Sequence, residues 1–346
     1  MQFDTTPKRA FATTTTLNAP CMNWGTDFHS ASELAAAMQR LGKDFDVLQL
    51  TRGPLEGHFS VVHLSELSIF SIETSQLLLL NGERGDDCIS FCLVSSGPDE
   101  DHRLHSNTID PYSINGFKPD LKESHFQLSA GSKTLFTLTS ARRFKTFLER
   151  SGHQDLLETI HNSNSLKLNP QLHKTINSKL SWHLSHPLAN TQQRSLHTAH
   201  LYTLILGALA QESKINFMKF NLSPRQKIVQ ELVRWGFKNS TSPIQLDDLV
   251  KAFFSSRRTI IQGCKENFAI GPMELLKLIR LEQVNKTLRS NEIRESLELK
   301  KVSDVASHFG FISRGHFSAT YRNQYGETPR QTLMKTNYQP PVGNKN

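Results

Sequence analysis

Two copies of one amphipathic pattern, with Ser256 and Ser313 at equivalent places 57 residues apart, constrain this chain more than any other feature. In the first copy Leu246, Leu249, Val250 and Phe253 recur at i, i+3, i+4 and i+7, the spacing that gives a helix one apolar face. A short break follows, and Ser256 stands where an N-cap hydroxyl would accept from free amides of the next helix. That helix turns Ile260, Cys264 and Phe268 inward and leaves Arg257, Arg258, Ile261, Gln262 and Lys265 outside. In the second copy Val302, Val305, Ala306 and Phe309 form the apolar face, and Gly310 supplies the backbone freedom of a tight turn. Ser313 then caps a helix that buries Phe317 and Tyr321 and shows Arg314, Gly315, His316, Ala319 and Thr320. Each copy predicts a helix-turn-helix unit. Between them residues 272–288 predict one long helix, with Leu275, Leu278, Ile279, Leu281 and Val284 inward, roughly 25 Å long at 1.5 Å per residue.

Charge follows the same division. Residues 1–222 carry 20 Lys and Arg against 21 Asp and Glu, whereas residues 223–346 carry 20 against 11, so the net charge of +8 sits entirely in the last third. A basic region beside a neutral one points to a polyanionic partner for the basic part, since each neutralised phosphate releases condensed counterions.

In order and spacing, Ser256-Arg257-Arg258-Thr259-Ile260, Gly271-Pro272, Ile279-Arg280-Leu281, Gly310-Phe311-Ile312-Ser313, His316-Phe317 and Tyr325-Gly326-Glu327-Thr328-Pro329 resemble the DNA-binding domain of AraC/XylS-family transcription regulators. The resemblance covers residues 224–336. Ala269 replaces the glycine that usually ends the first recognition helix, so that end is expected to close differently. Cys264 takes the place of a large aromatic. The long connection from Asn291 to Lys301 and the Ser-Arg-Arg-Thr start look similar to the ethanolamine-utilisation regulator branch.

The resemblance implies that two recognition helices enter successive major-groove segments, about 34 Å apart on one face of a duplex. It places Arg258, Ile261 and Gln262, then Arg314, Gly315, His316 and Ala319, at the bases. An arginine there pairs bidentately with guanine and Gln262 with adenine, whereas Ile261 and Ala319 meet at most a thymine methyl. Arg257, Lys265, Arg322 and the caps Ser256 and Ser313 are placed for phosphates. For each, a plain solvated surface residue is the alternative, and for His316 a packed first-turn histidine.

The rest of the chain has a different texture. From Asp44 to about Leu138, short β-branched and aromatic runs such as Phe45–Leu50, Phe59–Leu64 and Leu67–Ile72 are broken by Gly53-Pro54, Gly82, Gly97-Pro98 and Asp110-Pro111, predicting a sandwich or small barrel. Beyond Ser140, residues 142–150, 170–183 and 192–213 predict helices, the last with Leu201, Leu204, Ile205 and Ala208 on one stripe, suited either to the domain core or to a second subunit. The expected fold class is therefore α+β: a strand-rich, cupin-like or β-sandwich sensor with following helices, then an all-α domain of two helix-turn-helix units and a linker helix. Expected boundaries are a flexible tail at 1–25, a sensing and dimerisation domain at 26–215, a linker at 216–223, the DNA-binding domain at 224–336 and a disordered tail at 337–346.

No catalytic constellation is visible. Phosphate-loop and nucleophile-elbow motifs are missing, and His58, His63 and Glu66 do not have the spacing of a cupin metal site. Cys21, Cys88, Cys92 and Cys264 show no paired metal-ligand spacing, Asp86-Asp87 and Asp99-Glu100-Asp101 suit loops, and neither a metal nor a cofactor is expected. No apolar run reaches the roughly 20 residues of a membrane span. The expected function is a cytoplasmic, effector-responsive transcription activator, homodimeric, with double-stranded DNA, a small-molecule effector and RNA polymerase as partners. The alternative is a cupin-type small-molecule enzyme with an attached DNA-binding domain.

Overall fold

The computed structural model describes residues 23–97, 102–186, 188, 190–211 and 216–337. Most of the expected N-terminal tail with Cys21, the Asp99-Glu100-Asp101 run, residues 212–215 and the tail from 338 lie outside them.

The chain opens with β1 (Trp24–Phe28), α1 (Ala31–Gln39), β2 (Phe45–Gln49), β3 (Gly57–His63), β4 (Leu67–Thr74), β5 (Leu78–Glu83) and β6 (Ile89–Ser96). Short β7 (Arg103–Leu104), β8 (Asn107–Thr108) and β9 (Ser113–Asn115) precede β10 (Glu123–Leu128) and β11 (Ser132–Thr139). Helices α2 (Ala141–Arg150) and α3 (Asp155–Asn162), strand β12 (Ser163–Lys167), α4 (Pro170–Ser185), α5 (Thr191–Gln211) and β13 (Phe217–Lys219) complete the first part. The second part is helical: α6 (Pro224–Lys238), α7 (Leu246–Ala252), α8 (Arg257–Phe268), α9 (Pro272–Arg289), α10 (Asn291–Ser296), α11 (Val302–His308), α12 (Arg314–Tyr325) and α13 (Pro329–Asn337).

The strands form two antiparallel sheets, an eight-stranded one in the order β1-β3-β4-β11-β6-β9-β12-β13 and a five-stranded one in the order β2-β5-β10-β7-β8. Phe28, Val47, Phe59, Phe70, Leu78, Leu80, Phe126 and Phe136 fill the space between the sheets. On the other face of the larger sheet Val62, Ile69, Phe91, Leu93 and Leu135 pack against Phe144, Leu148, Ile176, Leu180 and Leu201 of the covering helices. Strand β4, with both faces covered, is buried at all but one position. Its sequence therefore runs nearly continuously apolar instead of alternating.

Three boundaries move. Trp24 and Gly25 belong to β1, inside the stretch expected as a tail. Phe217–Lys219, expected within the linker, pair with β12 as the edge of the larger sheet, so the first domain runs past residue 215 and only residues 220–223 connect it to α6. Asn337 still belongs to α13. The stripe on α5 also has one answer: Leu201, Ile205, Ala208 and Leu209 are buried in the core beneath the larger sheet and are not available to a second subunit. None of the described helices is long and apolar enough to cross a membrane.

Candidate nucleic-acid interface

Helix α8 is fixed by its inner face. Ile260, Cys264 and Phe268 are buried as their spacing requires, and burial pushes the Cys264 thiol up to about 12, which makes it packing material and not a nucleophile. Gly263 lets α6 approach, since a Cβ there would lie 2.8 Å from Val229. At the start of the helix the Thr259 amide donates to the Ser256 hydroxyl at 3.1 Å, the expected cap.

The far end overturns an expectation. Ala269 closes α8 in the left-handed conformation that glycine would adopt, φ 57°, with its amide donating to Lys265 O at 3.0 Å. The closure is thus the ordinary one, carried at a steric cost of about 1 kcal/mol by a residue with a Cβ. An Ala269→Gly variant is expected to unfold about 1 kcal/mol less readily, measured by denaturant titration. An unchanged or lowered midpoint would refute the strain.

On the outer face Arg258, Gln262 and Lys265 are exposed and Ile261 is half-buried. They are not equally free. Arg257 is turned back onto Asp247 of α7, 2.5 Å away. The Gln262 amide donates to Glu266 at 3.1 Å, and Glu266 also pairs with Arg225. Arg258 and Lys265 form no ion pair among the described residues, which leaves them as the uncommitted cations of this face.

Helix α12 repeats the plan with one difference. Gly310, at φ 80°, makes the turn as expected. Ser313 stands at the N-cap with extended backbone, but its hydroxyl accepts from no helix amide, so only its carbonyl serves the helix, taking the Phe317 N–H at 2.9 Å. The expected side-chain cap is not made. Phe317 and Tyr321 are buried, and the Tyr321 hydroxyl meets the Asn285 amide at 2.7 Å and the Thr332 hydroxyl at 2.9 Å, tying α12 to α9 and α13. Arg314, Gly315, His316, Ala319 and Arg322 are all exposed, so His316 is not a packed first-turn residue. A Cβ on Gly315 would meet nothing within 4 Å, so internal packing does not require glycine there. Two apolar side chains missed in the sequence also belong to this region: Phe254 and Ile312, in the turns before α8 and α12, are 97% and 96% exposed.

The opposite side of the helical domain is seated on the five-stranded sheet. Leu48 and Leu79 join the core built around Leu275, Leu276, Ile279 and Leu281 of α9. Gln324 of α12 donates to the carbonyls of Gln49 and Thr51, both at 3.0 Å, and its own carbonyl accepts from Gly53 N at 2.9 Å. Arg289 bridges Glu33 of α1 at 3.0 Å and Glu327 at 3.1 Å. Arg234 of α6 pairs with Glu123, and the Phe268 ring at the end of α8 lies 6.1 Å from that of His125. On α9 the polar residue buried at this seat is Glu282, which the Gln49 amide reaches from β2.

Elsewhere the histidines considered for a metal are occupied structurally. His58 Nδ1 is 2.6 Å from Asp27 and His63 Nδ1 is 2.9 Å from the Ser68 hydroxyl. Among the described residues no group of three or more His, Cys, Asp or Glu is arranged to hold a metal ion.

Residues 249–335 match the family model described as a helix-turn-helix domain. The HTH-type transcriptional activator RhaS of Escherichia coli O157:H7 is 27% identical over 128 residues, 34% of this chain and 44% of that protein. The XylDLEGF operon transcriptional activator 2 of Pseudomonas putida is 22% identical over 134 residues, 39% of this chain and 83% of that one. The chain therefore spans less than half the length of RhaS. Among solved structures, a transcriptional regulator with an AraC-type DNA-binding domain from Chromobacterium violaceum is 27% identical and covers 33% of this chain and 96% of its own, with a TM-score of 0.30.

Proposed function

We propose, from the premise that residues 249–335 form an AraC-type helix-turn-helix domain, that this chain is a sequence-specific DNA-binding transcription regulator. The observation that carries the reading is the pairing of two like-built units on one helix, α9, each with an exposed outer face bearing cations that no carboxylate among the described residues engages. Arg258, Gln262, Arg314 and His316 are the base readers in this proposal, with Ile261 and Ala319 against thymine methyls. Gly315 lets the backbone of α12 come close to the groove floor. Lys265 and Arg322 meet phosphates, with Arg257 joining them only if it leaves Asp247.

The same reading makes residues 24–219 a sensor for a small-molecule effector and makes the chain a cytoplasmic, non-enzymatic activator that works with RNA polymerase. Activation is favoured by the names of the two relatives above. Dimerisation remains part of the proposal but needs a surface other than the α5 stripe, and sedimentation of the full chain at micromolar concentration tests it.

Selection from a random duplex library tests the whole reading. Enrichment of one motif with two half-sites is expected, whereas equal affinity for selected and scrambled duplexes would point to an architectural binder. On the selected duplex log K should fall with log[salt] at a slope steeper than about −3, for several displaced counterions. A flat dependence would remove DNA as the partner.

A further inference from the structure

Apolar side chains are ordinary on a protein surface when they are scattered singly. Phe254 and Ile312 are not scattered. They are 97% and 96% exposed, no other large apolar side chain among the described residues exceeds 70%, and each stands in the turn that leads into a recognition helix. The two turns are built alike up to the point where these side chains enter. Helices α7 and α11 both run seven residues and then a cap, and the residue after the cap, Phe254 or Gly310, is left-handed, at φ 47° and 80°. The next amide donates back into the helix, Ser255 to Val250 O at 3.3 Å and Phe311 to Ala306 O at 2.9 Å. Glycine takes that backbone freely, and a residue with a Cβ does not. Phe254 therefore does at a steric cost what Gly310 does without one, and its ring, almost wholly in water, gains no packing in return.

Packing at each turn is done by the neighbours of these two residues. Phe253 lies edge-on to Trp235 with ring centroids 6.0 Å apart, and Phe311 meets Phe317 at 5.1 Å. Ile312 directly precedes the Ser313 N-cap, the position from which an apolar side chain ordinarily staples onto the fourth residue of the helix, here Phe317. At its exposure it makes no such staple. Neither side chain is explained by the folding of the chain.

Their surroundings name what covers them. Phe254 precedes Arg258 by four residues and Ile312 precedes Arg314 by two, and both arginines are exposed and form no ion pair among the described residues. An apolar group beside uncommitted cations, at the leading end of a groove-reading helix, calls for a partner that is anionic at its edges and apolar within. A DNA duplex is such a surface: phosphates line its edges, and its major groove carries the 5-methyl groups of thymine. We propose that Phe254 and Ile312 are specificity-determining residues, each packing on a thymine methyl where its recognition helix enters the major groove. The inference rests on the DNA-binding reading above and adds to it two apolar readers that stand outside the helices, one for each half-site. Such a contact displaces no counterion, so it strengthens binding without steepening the salt dependence.

The test uses the full chain and the duplex it selects. Phe254→Gly should keep or raise the denaturant midpoint, because it relieves the left-handed backbone, and yet lower affinity for the selected duplex about three- to tenfold. Stability and affinity thus move apart, which a merely structural role would not produce. Ile312→Ser should weaken binding by a similar factor, and neither change should alter the salt slope. Replacing the thymines of the duplex one at a time by deoxyuridine, which lacks only the methyl group, locates each contact. In each half-site one such replacement should weaken binding of the natural chain about three- to tenfold, at one position without effect on Phe254→Gly and at the other without effect on Ile312→Ser. The inference is overturned by a selected motif with no thymine in either half-site, by variants that bind as the natural chain does, or by variant and deoxyuridine losses that simply add at every position. Loss of transcription by RNA polymerase with DNA affinity intact would overturn it too and assign the two side chains to a protein contact. Those results leave the DNA-binding reading standing, whereas a natural chain that selects no motif removes both.

Discussion

Between pH 5 and pH 8 the chain is expected to lose stability that its Glu282→Gln variant keeps, the gap approaching about 3 kcal/mol at the alkaline end. Glu282 lies on the side of α9 that faces β2, 3% exposed, with one carboxyl oxygen accepting from the Tyr325 hydroxyl at 3.2 Å. Burial raises its pKa to about 7 from the ordinary 4.5, and the Tyr325 hydroxyl, the Arg289 charge, the Gln49 amide and the Lys286 charge offset that only in part. In the unfolded chain the carboxyl ionises near 4.5, so across the window up to about 7 the folded state holds a proton that the unfolded state has released. Stability therefore falls as pH rises through that window, is fully present below it and levels off above it. Asp46, across the interface near Lys286, is also raised by burial and adds a slope of the same sign. Glutamine keeps the shape and the acceptor without the charge. Denaturant titrations of both proteins across this range decide the matter, and parallel pH profiles would show that Glu282 does not titrate where its burial places it.

The helical domain was legible because it obeys local rules. Apolar residues at helical spacing marked α7, α8, α9, α11 and α12, helped by a serine at the N-cap of α8 and α12, Gly271-Pro272 before α9 and Gly310 before α12. The first domain was legible only where strands carry a continuous apolar or β-branched run, as in β2, β3 and β4. Helix α1 was missed because its alanine-rich sequence has no contrast between faces, and β12 because Ser163-Asn164-Ser165 reads as a loop until its neighbours β9 and β13 supply hydrogen-bond partners. Strand β13 was missed for the same reason, being only three residues long at a sheet edge. Outer-face positions on the recognition helices were readable by exclusion, once the inner faces were assigned. What the side chains do there was not. That Arg257 is tied to Asp247 and that Ser313 leaves its helix amides alone depend on rotamers and on residues ten or more positions away, which spacing does not encode. Nor does it encode the seat between the domains, where Gln49 and Gln324 meet from positions 275 residues apart.

Alanine at Arg314 is expected to lower affinity for the selected duplex about ten- to hundredfold, 1–3 kcal/mol, and to relax the preference at one base position. The same change at Arg258 should do so in the other half-site. Both side chains are exposed and form no ion pair among the described residues, so their loss should move folding stability by less than about 0.5 kcal/mol. That separation matters, because a variant that merely unfolds would lose affinity for every duplex. The two substitutions should differ in degree. On α12, Gly315 has no side chain and Ala319 cannot hydrogen-bond, so Arg314 and His316 carry the polar readout near the start of that helix, whereas α8 retains Gln262 when Arg258 is gone. Loss of base preference is thus expected to be more complete in the half-site read by α12. Arg257→Ala should change affinity least of the three arginines, since its guanidinium must first leave Asp247. Gel-shift titrations on the selected duplex and on its single-base variants, each at two salt concentrations, separate the outcomes. An arginine whose loss weakens all duplexes equally and flattens the salt slope by about one belongs to a phosphate and not to a base.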